Sequence, residues 1–423
     1  MSEQTQERAG ILITDLKEIA TMAGPPEGPL HGGALGDLEI VQDAAIAIGG
    51  GEILAVGPTQ DLRERFRAST VVDATGMVAT PGLVDPHTHM VYAGSREDEF
   101  EERVKGATYL QIASSGGGIL STVRETRKAS MNRIVRQSLP RLQRALRHGT
   151  TTMEIKSGYG LDADSEEKML AAIDYLRRLQ PIDLVSTFMG AHWLPEEFTN
   201  NREGYIRDVI RKQIPRARSM AEFCDVFCEE GVFSPDETRE ILAAAKDSGM
   251  KLKIHADEFK DTGGAALAGS LKAASADHLG AIGPEGIKAL RGKGTIAVLL
   301  PGTSFYIGLG RYAPARALIE AGVPVALGSD GNPGSCVTDS MQVILSLACL
   351  RLRMTPHEAL ASATRNAAWA IDRGKEAGIL EEGRPADVVV WAAPSCKAIP
   401  HQFGTNLVHQ VYKKGVLVHE EGA

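Results

Sequence analysis

A (β/α)8 barrel beside a small β-sandwich built from both chain ends is the fold the sequence predicts, and three observations predict it. Across the middle of the 423-residue chain, eight short apolar runs alternate with longer stretches of helical period, the pattern of a parallel sheet closed on itself. The two ends carry a different texture, short alternating runs cut by glycine. Neither end alone holds enough strands for a stable sheet, so the economical solution joins them beside the barrel.

In the N-terminal part (1–80), the runs are ILIT, AIAI, ILAV and MVATPG. Gly49, Gly50 and Gly51 separate AIAI from ILAV and read as a hairpin turn. One short helix is expected over 60–67. The barrel (81–370) takes its strands from GLVDPHTH, TTTMEIKSG, DLVSTFMGAHW, CDVFCEE, KLKIHADE, SADHL, TIAVLLPG and VPVALGSD. Helices are expected over 121–148, 165–179, 235–248 and 287–291. Ser234-Pro-Asp-Glu237 and Thr355-Pro-His-Glu358 each offer an N-cap hydroxyl, a proline at N1 and a glutamate at N3, the elements of a capping box. The C-terminal part (371–423) returns to strands, ADVVVWAA and then LVHQVY and VLVHE joined by a tight turn.

The bulk numbers exclude several classes. At 43% hydrophobic and 24% charged residues the chain can bury a large core, which rules out disorder and coiled coil as the main state. A net charge of −8 argues against a nucleic-acid partner. No run of 18 apolar residues occurs, so no membrane-spanning helix is expected. MSEQTQERAG lacks the basic-then-apolar pattern of a leader. Five cysteines without a CxxC pair read as reduced thiols, and the expected setting is the cytoplasm.

In a barrel of this kind the chemistry sits at the C-terminal ends of the strands. Strand one ends in His87-Thr-His89, two imidazoles on one face; His192, His255, His278 and Asp330 stand at the ends of strands three, five, six and eight. His87, His89, His255 and Asp330 together suit a first-row divalent metal with a position left for water. Such an ion lowers the pKa of water toward neutrality and so supplies a nucleophile. Glu258, three residues past His255, is a candidate proton carrier; His278 could hold the water, and Asp330 could accept a proton. Cys224 and Cys228 read as buried thiols on one strand face, Glu229 and Glu230 as solvated loop carboxylates, and Lys156 as an ion-pair partner without a catalytic part.

PGLVDPHTH and GILEEGRPADVVVW resemble the amidohydrolase superfamily. More narrowly, HTHMVYAGSREDEF, GGGILSTVRETR, EIKSGYGL, GAHWLP, HADEF and GSDGNPGS resemble the imidazolonepropionase family. The resemblance implies one zinc or iron ion per chain held by His87, His89, His255 and Asp330. It implies hydrolysis of the cyclic amide of 4-imidazolone-5-propanoate to N-formimidoyl-L-glutamate in histidine degradation. Arg96, Tyr159, His192, Glu258, Asn332, Gly334 and Ser335 would hold the substrate, and Glu258, His278 and Asp330 would handle protons. Glu258 or Asp330 delivers the proton that breaks the ring C–N bond, and the sequence leaves both in place. A homodimer is also implied. The residue types fit independently, because a buried arginine pairs bidentately with a propionate. The nearest rival is an aminohydrolase of the same superfamily deaminating a nucleobase-like ring, for which Arg96 and Tyr159 would be idle. A non-catalytic barrel is the rival from another class, and all four ligands being present speaks against it.

Overall fold

The computed structural model describes residues 6–25, 27–107, 111–112 and 116–422. The opening MSEQT lies outside the described residues. The eight expected barrel strands all form: β1 (Leu83–Asp85), β2 (Thr150–Lys156), β3 (Asp183–Ala191), β4 (Phe223–Cys228), β5 (Lys251–Ala256), β6 (Ser275–His278), β7 (Ile296–Leu299) and β8 (Val325–Leu327). Each pairs in parallel with the next. They carry almost no exposed residue, and all seven positions of β2 are buried, as a parallel strand covered on both faces requires.

The seam between β1 and β8 closes just beyond the strands. Thr88 and Gly331 form an isolated parallel bridge. The Asp330 amide donates to the His87 carbonyl at 3.0 Å, and the His89 amide donates to the Gly331 carbonyl at 2.9 Å. The Ser329 amide donates to the buried Asp85 carboxylate at 2.9 Å.

Two-residue alternation sorts each strand. Met153 and Ile155 of β2, Cys224, Val226 and Cys228 of β4, and Leu252 and Ile254 of β5 belong to the main apolar core. Their neighbours Glu154, Lys156, Asp225, Lys253 and His255 are also buried, but form polar contacts with one another across the strands. Toward the strands' N-terminal ends the interior is apolar, with Val84, Val185, Phe223, Ile296, Val298 and Ala326 packed against Ala367 and Ala368. The polar layer and then the imidazoles therefore sit above an apolar floor.

The chain ends join into one eight-stranded sheet through antiparallel pairing of Val78–Pro81 with Val388–Trp391. Val388 and Val390 enter that sheet's own core with Ile13, Leu16, Ile19 and Ile46. Val389 and Trp391 face the barrel's core. The expected glycine hairpin is present; Gly50 and Gly51 take φ of 64° and 89°, as a tight turn between twisted strands demands.

Both capping boxes form, at Ser234 and at Thr355. Four expectations shift. The helix over 121–148 is two, Ile119–Lys128 and Met131–Arg147, because Ala129 and Ser130 are extended and the Ser130 side chain caps the second by accepting from the Arg133 amide. The helix over 60–67 is Thr59–Arg65, and the next residues form an unanticipated strand, Phe66–Asp73, parallel to the N-terminal strand Glu7–Ala20. That strand is largely exposed, so it lacks the apolar alternation that betrays its neighbours. The helix over 287–291 starts earlier, at Pro284, a proline whose missing N–H costs nothing at N1. The helix over 165–179 is Ala163–Arg177, capped by Asp162.

Candidate metal centre and substrate pocket

Four imidazoles and one carboxylate converge at the C-terminal mouth of the barrel. His87 and His89 sit on the segment leaving β1, His255 is in β5, His278 ends β6, and Asp330 follows β8. The seam bonds bring Asp330 Oδ1 to 3.5 Å from His87 Nε2 and 3.7 Å from His89 Nε2. The His87 and His255 rings are 4.4 Å apart between centroids, and His255 and His278 are 5.1 Å apart. Donor atoms of His87, His89 and Asp330 lie within 4.8 Å of one another, and so do those of His87, His255 and His278.

The residues fit a metal ion. His87 Nε2 and His255 Nε2 are buried and find no hydrogen-bond partner among the described residues, a costly state for a polar nitrogen unless a cation takes the lone pair. The opposite nitrogens are fixed: His87 Nδ1 lies 2.6 Å from Asp277 Oδ2, and His255 Nδ1 lies 3.0 Å from Asp225 Oδ2. A carboxylate accepting from Nδ1–H sets the tautomer that turns a bare Nε2 toward the centre. Burial holds His87, His89 and His278 well below the usual imidazole pKa, so they are neutral and able to ligate.

Beneath them lies an ionic layer that sequence reading missed apart from Lys156. The Lys156 ammonium donates to Glu154 and Asp225, each at 2.8 Å, and lies 3.6 Å from Asp277. Lys253 donates to the Pro86 carbonyl at 2.8 Å and pairs with Glu154 at 3.0 Å. Burial opposes the charge on Lys156, yet Asp225, Glu154 and Asp277 raise its pKa above the usual value. Burial likewise opposes the charge on Asp225, but His255 and Lys156 hold it well below the carboxylate range. Two ammonium groups thus sit fully buried among three carboxylates, and two of those carboxylates orient imidazoles.

The pocket above encloses about 460 Å³, its mouth included, and is lined by His89, Arg96, Tyr159, His192, Glu258, His278, Asp330, Asn332 and Ser335, with Ile119, Phe227 and Phe259 as apolar walls. The three apolar residues were not expected there; Phe227 sits in an ordinary strand run, and Phe259 stands alone among charged residues. His192 donates from Nδ1–H to the Gly158 carbonyl, 2.9 Å away, and its ring stacks on His89 at 5.0 Å. Glu258 Oε2 is 3.7 Å from His278 Nδ1. Burial, then the charge of Asp330, pushes the Glu258 carboxyl well above its usual value, while burial raises Asp330 to about 6. Thr303 Oγ1 donates to Asp330 Oδ2 at 2.5 Å. Asn332 accepts from the amides of Gly334 and Ser335 at 2.8 and 2.7 Å, folding the post-β8 loop into a tight turn. Gly334 lies behind the lining rather than in it: a Cβ there would stand 2.0 Å from Arg96 Nη1, so only glycine lets the guanidinium lie down. His278 and Asp330 hold positive φ, 74° and 52°, a strain of the kind that gathers at working sites.

One neighbour differs from expectation. Cys224 and Cys228 are buried in the main core on one strand face, as anticipated. Glu229 is not solvated; it is buried and accepts from the amides of Phe259 and Lys260 at 2.9 and 3.2 Å, pinning the loop that carries Glu258. Its run of charged neighbours hid a backbone-holding role that only the fold reveals. Glu230 is solvated and pairs with Lys260.

The amidohydrolase family model matches residues 78–418. The chain is 48% identical over 417 residues to an imidazolonepropionase of Alkaliphilus oremlandii (strain OhILAs), covering 97% of this chain and 98% of that protein. It is 46% identical over 415 residues to one of Bacillus velezensis (strain DSM 23117 / BGSC 10A6 / LMG 26770 / FZB42), with the same coverage. A solved adenosine deaminase from Xanthomonas campestris with bound zinc shares the fold, with a TM-score of 0.65 and 18% identity over 98% of this chain and 93% of that one. With a family model matching most of the chain and relatives at this identity over nearly its whole length, the chain belongs to the amidohydrolase family and, within it, to the imidazolonepropionases.

Proposed function

We propose that the chain hydrolyses 4-imidazolone-5-propanoate to N-formimidoyl-L-glutamate, the histidine-degradation step its relatives' name denotes. The observation that carries this reading is a buried guanidinium, Arg96, lining the same pocket as His89, His255 and Asp330. A carboxylate-bearing ring is the ligand such a pair of features suits. His87, His89, His255 and Asp330 would hold one metal ion, zinc or iron, a donor set that suits both. When bound, that ion lowers the pKa of water toward neutrality and polarises a carbonyl.

The chain's own residues do the rest. Arg96 pairs with the propionate, and Tyr159 and His192 hold the ring. Asn332 and Gly334 shape the turn that offers Ser335 to the substrate. His278 orients the attacking water, and Asp330 takes its proton. Glu258, whose burial favours the protonated form, gives a proton to the ring nitrogen as the C–N bond breaks. Residues 81–370 carry this chemistry, with 1–80 and 371–423 forming the sheet alongside. No helix among the described residues is long and apolar enough to cross a membrane. The five free cysteines support a cytoplasmic setting, and the homodimer implied by family resemblance is to be read by light scattering, a monomer mass removing it.

Metal-replete protein is expected to consume imidazolonepropionate, followed by its ultraviolet absorbance; no loss would remove the substrate assignment. Arg96→Met is expected to raise KM about 10- to 100-fold, the worth of a charge-assisted pair. An aminohydrolase acting on a neutral ring would leave that substitution nearly silent.

A further inference from the structure

We propose that Glu99 is a positioning residue that aims Arg96 at the substrate carboxylate and thereby tunes the pocket for anionic rings. This rests on Arg96 being the anchor proposed above.

Arg96 is the N-cap of the helix Glu97–Val104, and Glu99 lies on that helix's first turn. A single carboxylate oxygen, Glu99 Oε2, accepts from Arg96 Nε at 2.8 Å and lies 2.7 Å from Nη2. The other oxygen, Oε1, accepts from the Gly118 amide at 3.0 Å. Both side chains are largely shielded, 5% and 13% exposed, so the pair is screened far less than a surface ion pair. Gly118 is the N-cap of the helix Ile119–Lys128, and Ile119 is a wall of the pocket. A Cβ on Gly117 would stand 3.1 Å from Glu99 Oε1, so the 116–118 turn packs closely on that carboxylate. On its other side the guanidinium lies on Gly334.

Arg96 is therefore gripped between a carboxylate and a backbone, and Glu99 ties its direction to the wall bearing Ile119. Fixing an arginine side chain in one direction costs rotamer entropy. A partner that fixes it before substrate arrives removes that cost from binding. Glu99 also has a charge that opposes the substrate's own. The two effects predict opposite signs, and the proposal is that aiming outweighs repulsion because the guanidinium presents more than one edge.

The test is Glu99→Gln in the full-length, metal-loaded protein, beside Arg96→Met. Two quantities are read: KM and kcat for imidazolonepropionate, and the inhibition constant of an imidazolone ring lacking the propionate. The expected result for Glu99→Gln is a KM raised about 10-fold, kcat within two-fold, and an unchanged inhibition constant for the propionate-free ring. An unchanged or lowered KM, with Arg96→Met still raising it, overturns the positioning role and leaves the anchor standing. Equal weakening toward both rings would mean a structural role only and also overturns it. An unchanged KM in Arg96→Met overturns the anchor and this proposal together.

Discussion

Asp330→Asn is expected to lower kcat by at least about 1,000-fold while leaving the fold intact. Among the described residues Asp330 is the one carboxylate within 4 Å of both His87 and His89, and the proposed mechanism asks it both to ligate and to take a proton. An amide does neither well, and loss of a general base and a metal ligand together is worth several orders of magnitude. The backbone is why asparagine is the informative change. Asp330 sits at φ 52°, a left-handed conformation that asparagine tolerates almost as well as aspartate. The amide can still accept from Thr303 Oγ1, the 2.5 Å bond of the native carboxylate. A thermal midpoint near the native one, with kcat collapsed and metal content reduced by elemental analysis, is the predicted outcome. Near-native turnover would take Asp330 out of the chemistry.

The second large effect is on stability. Lys156→Met is expected to destabilise the protein by about 3–5 kcal/mol, read from the midpoint of urea unfolding. Methionine fills similar space, so the loss is electrostatic. Glu154, Asp225 and Asp277 would be left with Lys253 as their remaining nearby ammonium, all of them buried. Uncompensated buried charge is among the costliest defects a point change can create. Adding Glu154→Gln to the variant removes one stranded carboxylate and should restore part of the loss. A Lys156→Met protein as stable as the parent would show that water or protons relieve the layer.

Most of the fold was legible because parallel strands, buried on both faces, read as apolar runs, and all eight reappear with their polar ends in place. The candidate metal-site residues stood out for a related reason. An imidazole or carboxylate at the mouth end of such a run has few structural excuses. Asp225, Lys253 and Asp277 escaped notice because they lie inside strands, where a charged residue looks like an interruption. Their meaning comes from partners on adjacent strands, as in the 30-position gap between His255 and Asp225 and the 190-position gap between His87 and Asp277. The strand Phe66–Asp73 was invisible for the opposite reason, being too exposed to show a pattern. The break at Ala129 and Ser130 was hidden by residues that suit a helix interior and a cap alike.

The closing of the barrel has a consequence for how the protein matures. Asp85 and Ser329, 244 positions apart, meet at the junction of first and last staves, and the cation's proposed cradle straddles that joint. A nascent chain still missing its eighth stave has imidazoles but no completed cage, so an ion held there would report that synthesis and closure have both finished.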